Sequence, residues 1–240
     1  AGAAWAALTD ADIVFLTVDD SYTAGALGTI EVGKPPTKNL VTGLAGDEMG
    51  VVVDIWGQKK ILLRRYHFGS TSDTVRLYPG ESWSPIAESK FGDNICQVKV
   101  VGDGLYVANW GDTGLRRGSI EQYDVQDLLD SAASMTPVKK VTFDDGDDFF
   151  EHVKDFRVVG NYLYAIVADV KGSWPPVYDK SRLYKVSLSD MTVADSLEVA
   201  KNPGGSVNKA VLAEHGSALY VACFGGAYGE VLTSSLVKVD

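Results

Sequence analysis

One pattern limits what this chain can become: a pair of strand-like segments that recurs five times along its 240 residues. The first member reads Ile13 to Leu16, Ile61 to Leu63, Leu105 to Ala108, Leu163 to Ile166 and Leu219 to Ala222. Its partner follows after a loop of changing length, as GTIEV (28–32), DTVRLY (73–78), GSIEQYD (118–124), SRLYKV (181–186) and SSLVKVD (234–240). The stretch LYVAN (105–109) alternates as a half-buried strand does. Self-similarity at a fixed period marks a repeat architecture, in which each unit buries its apolar face only against its neighbours.

A further apolar run precedes each pair: AAWAAL (3–8), GVVVDI (50–55), CQVKVV (96–101), VKDFRVV (153–159) and NKAVLA (208–213). The short turns between, such as GDG (102–104) and GNY (160–162), have hairpin chemistry. A weaker fourth strand follows four of the pairs, near 39–43, 85–89, 138–143 and 193–199. Units of four antiparallel strands, A to D, repeating every 40 to 60 residues predict an all-β fold, a β-propeller, with about five blades in a single domain. The blades fall at 1–48, 49–93, 94–148, 149–204 and 205–240. A sandwich or barrel predicts evenly spaced strands without fixed strand roles. The fifth copy lacks a fourth strand while the first has its own A strand, so either the ring closes on a short blade or the chain is part of a larger propeller. One short helical turn is expected at Asp127 to Ser134.

The formal charge of −10, from 22 basic and 32 acidic residues, disfavours nucleic acid and anionic membrane as partners, since both reward a basic surface. No window reaches the ~18 consecutive apolar residues of a membrane helix. Ala1-Gly2-Ala3-Ala4 reads as the small-residue text after a processed signal or an engineered truncation. Cys96 and Cys223 lie in apolar strand text, as buried free thiols or as a disulfide.

LYVANWGD (105–112) followed by GSIEQYDV (118–125) resembles the repeat of bacterial YVTN-type surface and lactonase-like propellers. The likeness is strongest there, fair at 163–168 with 181–186 and at 219–222 with 235–239, and poor in the first two copies. It implies a propeller and an extracytoplasmic location, secreted, periplasmic or at the cell surface. No lactonase catalytic position can be carried over.

In a propeller the B to C loops and D to A connections emerge on one face. Here that face collects Tyr22, His67, Trp110, Arg116, Arg117, His152, Trp174, Tyr178, Phe224 and Tyr228. Such aromatics either pack between blades or form a stacking platform for a protein, peptide or carbohydrate ligand. The acidic run Asp144, Asp145, Asp147, Asp148, with Glu151 and His152 behind it, is either a solvated loop or a calcium site, though its spacing is not that of an EF-hand. No other cofactor is indicated.

No nucleophile elbow, zinc-binding helix motif, phosphate loop or dinucleotide fingerprint occurs. A propeller glycosidase would need inward carboxylates, for which Asp54, Asp93, Glu151 and Asp155 are the candidates. The first expectation is therefore a non-catalytic, exported propeller that binds a partner on its loop face. The alternatives are a propeller hydrolase or lactonase-like enzyme, marked by carboxylates converging within ~6 Å, and a structural segment of a larger surface protein.

Overall fold

The computed structural model describes residues 12–20, 24–44, 48–65, 73–79, 83–111, 116–172, 177–201, 209–216, 218–224 and 235–239. Among them, strands form five antiparallel sheets, each made of consecutive strands. The first holds β1 (Asp12–Val18), β2 (Gly25–Glu31) and β3 (Thr37–Leu44). The second holds β4 (Glu48–Ile55), β5 (Gln58–Arg65), β6 (Asp73–Pro79) and β7 (Ala87–Phe91). In the third are β8 (Ile95–Val101), β9 (Gly104–Asn109), β10 (Ser119–Asp124) and, after α1 (Val125–Leu129), β11 (Lys139–Thr142). The fourth has β12 (Phe150–Val159), β13 (Tyr162–Lys171), β14 (Val177–Ser187) and β15 (Thr192–Lys201). The fifth has β16 (Lys209–His215), β17 (Ala218–Phe224) and β18 (Ser235–Val239).

The expected A to D order holds in the second, third and fourth sheets, and the first and fifth show three of the four strands among the described residues. The expected first strand at 3–8 lies outside them. The helical turn begins two residues earlier than expected, because the Asp124 carboxylate accepts the Gln126 N–H at 2.8 Å and caps it there.

LYVAN departs from its expected half-burial. All six residues of β9 are buried, as are seven of the ten in β13, Leu163 and 165–170. A strand covered on both faces has no reason to alternate. The outer strand β7 does alternate, with Ala87, Ser89 and Phe91 buried and Glu88 and Lys90 exposed.

The chain divides into two compact units, Ala1–Asn94 with Val98–Tyr106 and Tyr123–Pro137, and Ile95–Gln97 with Val107–Gln122 and Val138–Asp240. In the first unit, Leu27 and Leu44 of the first sheet share a core with Ile61 and Tyr78 of the second. Phe91 there meets the Tyr123 ring at 5.2 Å, and the Tyr123 hydroxyl accepts the Gly92 N–H. In the second unit, Phe143 meets Tyr184 at 4.9 Å, and Ile166, Ala168 and Leu183 of the fourth sheet pack with Leu212, Val221 and Cys223 of the fifth. Within each unit, then, sheets stack on their neighbours in chain order. Cys96 and Cys223 are not joined in a disulfide, which settles the two readings of these residues for the thiol.

One carboxylate stitches the second unit. Asp155, on β12, accepts from the Leu212 N–H of β16 at 3.0 Å, from Gln97 of β8 at 3.2 Å, and from its own neighbours Phe156 N and Arg157. The Asp155→Ala variant should lose about 3 kcal/mol of unfolding free energy, because the Leu212 amide and the Arg157 guanidinium lose their acceptor in a buried place. Urea denaturation checks this, and an unchanged midpoint would refute the stitching role.

Candidate functional site

The stretch between β9 and β10 is bracketed by two glycines that no other residue can replace without strain. Gly111 has φ of +90°, and a Cβ there would lie 2.8 Å from the Gly118 nitrogen. At Gly118 a Cβ would lie 2.5 Å from the Glu151 carbonyl oxygen, which in fact accepts the Gly118 N–H. That close backbone approach delivers Arg117 to β12. Next to it, buried Asn109 donates to buried Ser119 at 3.1 Å and ties the ends of β9 and β10, which gives the Asn and Ser of the repeat motif a structural task.

Arg117 is an anchor. Its Nη1 contacts Glu151 at 2.5 Å and Asp144 at 3.3 Å and donates to the Phe149 carbonyl, while Nη2 donates to the Asp147 carbonyl. The hydrogen bond it donates to Glu151 holds the guanidinium even more firmly protonated than usual. Glu151 itself is wholly buried, and burial raises its carboxyl above the ordinary range despite Arg117. Glu151 and His152 were expected in a loop but belong to β12, whose ladder starts at Phe150.

The acidic run winds on its own side chains. Asp144 accepts the Gly146 N–H, Asp145 the Asp147 N–H and Asp147 the Phe149 N–H, three successive Asx turns. Of the four expected calcium ligands, only Asp145 and Asp147 converge, and they do so with Asp169 rather than with Asp144 or Asp148. The carboxylate oxygens of Asp145, Asp147 and Asp169 lie within 4.8 Å of one another. Asp148 instead pairs with Lys171, both exposed.

Lys180 already supplies a cation to that triad. Its Nζ lies 2.8 Å from Asp145, 2.8 Å from Asp147 and 3.4 Å from Asp169, with Arg182 3.6 Å from Asp145. Asp169 and Lys180 were expected in one loop, yet both are strand residues. The β13–β14 ladder breaks between Ala168↔Ser181 and Val170↔Tyr178, and that irregularity leaves Asp169 and Lys180 outside the pairing. Hydrogen bonds to Asp145 and Asp147 raise the Lys180 ammonium above its usual range. Burial, then the nearby Asp145 charge, pushes Asp169 up to about 7. Asp147 moves down: burial opposes this, but the bonds from Lys180 and the Phe149 amide outweigh it.

A second cluster lies on the same strand. The half-buried Trp110 ring meets the His152 ring edge at 5.2 Å, and Lys154 Nζ sits over the Trp110 face at 4.8 Å and the Tyr178 face at 5.5 Å. Burial lowers His152 to about 3, with Lys154 adding to the effect. Neither His152 nitrogen nor Lys154 Nζ, all buried atoms, has a hydrogen-bond partner among the described residues. Lys154 was not expected from sequence, although its place beside His152 in VKDF was in view.

Of the ten expected ligand-binding residues, Trp110, Arg117, His152 and Tyr178 meet in these two clusters, and Arg116 is half-buried beside Arg117. Tyr22, His67, Trp174 and Tyr228 lie outside the described residues, as does the side chain of Phe224 at the end of β17. Among the expected catalytic carboxylates, Asp54 caps the β4–β5 turn through the Gly57 N–H, Asp93 is half-buried after β7, and Glu151 and Asp155 are held as described. Trp56, in that same turn, donates to Asp103 at 3.0 Å, a contact the plain reading of the A to B turns missed.

No protein-family model matches the chain. No curated protein matches it either. Among solved structures, one described as "AfRom2 CNH domain" aligns with a TM-score of 0.39 at 10% identity, covering 94% of this chain and 80% of that one. So loose a superposition carries no argument about function. No helix among the described residues is long and apolar enough to cross a membrane.

Two outcomes follow from the triad. Because the folded-state carboxyl of Asp169 titrates near 7, above its unfolded value, the folded state binds the extra proton. Stability should fall as pH rises from about 4 to about 7, and Asp169→Asn should flatten that slope in thermal melts; an unchanged slope would contradict the assignment. Lys180→Ala should gain a Ca²⁺-dependent rise in Tm larger than that of the parent chain, since ammonium and calcium compete for the same oxygens. Equal calcium responses would show that Lys180 does not occupy a cation position.

Proposed function

We propose that the sheets are blades of a β-propeller of the YVTN-like repeat type, exported from the cytoplasm, that binds a protein, peptide or glycan partner at the loop ends of its third and fourth blades. The stacking of sheets in chain order within each unit supports the propeller. The motif likeness at LYVAN and GSIEQYD supports the repeat type and, through it, export.

One observation carries the binding reading: His152 and Lys154 bury polar atoms that no described residue satisfies, beside two aromatic faces at the loop ends. Folded proteins pair nearly all such groups. A rigid scaffold that leaves them unpaired beneath Trp110 and Tyr178 holds them for a polar group of a ligand with an apolar face. Glycan and peptide arrays probed with the purified chain should give a discrete set of hits, and Tyr178→Ala should weaken them at least about tenfold while the chain stays folded. Blank arrays, or hits indifferent to Tyr178, would remove this reading.

A second reading, a hydrolase, is favoured by the convergence of Asp145, Asp147 and Asp169 within 4.8 Å, with Asp169 raised and Asp147 lowered. Carboxyls pushed apart in this way can divide acid and base roles. Lys180 seated among them argues for the structural role. Turnover of a lactone or glycoside panel that vanishes in Asp169→Asn would reverse the order of the two readings.

A further inference from the structure

We propose that Lys154 is a carbonyl-capturing amine, and that a small planar aldehyde entering between Trp110 and Tyr178 condenses with its Nζ. The proposal rests on the reading of this end of the fourth sheet as a ligand site, and it names the chemistry of that site.

The backbone sets Lys154 apart. Along β12 and β13 the register passes from Val153↔Val167 directly to Asp155↔Ile166, so Lys154 is the extra residue of a β-bulge. Bulges re-aim a side chain out of the regular alternation. Here the result is an ammonium-bearing side chain whose Nζ lies between two ring faces, with no acceptor in hydrogen-bond reach among the described residues. The carboxylates nearest along the strand are engaged elsewhere: Glu151 with Arg117 and the Asp145 N–H, Asp155 with Gln97, Arg157 and the Leu212 N–H.

The other groups facing Nζ include no carboxylate among the described residues. From β14 comes the Tyr178 ring, from the end of β9 the Trp110 ring, and from β8 the Cys96 thiol, which donates to the carbonyls of Ala108 and Val153 at 3.3 Å each. His152, two residues back, stays neutral. A buried amine without a counter-ion sheds its proton easily. Burial lowers Lys154 to about 7, with the Cys96 charge opposing. The two ring faces also oppose it by attracting the cation, by an amount on the order of 1 kcal/mol each.

A neutral amine is a nucleophile. The Nζ lone pair adds to the carbonyl carbon, one N–H proton passes to the oxygen, and the carbinolamine then loses water as the C=N bond replaces C=O. Amine and aldehyde thus give imine and one water, with no oxidant or reductant. Trp110 and Tyr178 favour a planar conjugated aldehyde, and their faces would stabilise the protonated imine as they do the ammonium.

The test is benzaldehyde with cyanoborohydride at pH 6 to 9, followed by peptide mapping. At pH 7 Lys154 should be labelled at least about tenfold faster than exposed lysines, because an ordinary lysine is almost wholly protonated there. Its rate should rise to a plateau through about pH 7, and unfolding in urea should abolish the preference. Labelling of Lys154 no faster than that of Lys34, 65% exposed, overturns the proposal. Lys154→Arg, which keeps a cation between the rings, should lose the label and keep the fold. Should that variant fail to fold, the native-against-urea comparison decides. Array hits without selective labelling sink this proposal alone, whereas selective labelling with blank arrays sinks the partner-binding reading alone.

Discussion

Asp155 holds together what backbone ladders cannot. Hydrogen bonds within a sheet stop at its edge strand, so adjacent sheets are joined by side-chain packing, by polar side chains that cross between them and by single backbone contacts such as that of Gly118 with Glu151. In the second unit a buried carboxylate on β12 reaches backbone of β16 and side chain of β8 at once. A buried acceptor with several donors is specific in a way that apolar contact is not, because moving any sheet orphans a donor. Lys154, His152 and Glu151 lie on that same strand.

Two irregularities in otherwise regular ladders then build the chemistry. The bulge at Lys154 withdraws an amine from the alternation, and the break between Ala168 and Val170 frees Asp169 and Lys180 to meet. The clusters that result are opposites. Around Lys180, three carboxylates gather about one ammonium, and the loop of Asp144 to Phe149 is wound by its own Asx turns. Around Lys154, an amine and an imidazole are buried against aromatic rings without such partners among the described residues.

The strand plan was legible because period, turn glycines and the A to D order are local properties of the chain. From Gln58 to Lys201 each expected strand is found within a few residues of its place. The site was legible only in part. Trp110, Arg117, His152 and Tyr178 stood out as residue types at loop ends, but Lys154 reads as an ordinary exposed strand lysine, and nothing local says that the ladder bulges there. The acidic run suggested calcium for the same reason: Lys180, which neutralises it, is 33 residues from Asp147 in the chain.

The sequence by itself determined the all-β class and the four-stranded unit, since these follow from side-chain period and turn chemistry. Tertiary structure alone decided the rest. It buried every residue of LYVAN, and it chose which carboxylates meet and which cation they meet. It also left Lys154 without a hydrogen-bond partner among the described residues, because polar pairing and desolvation depend on distances between segments that only folding brings together.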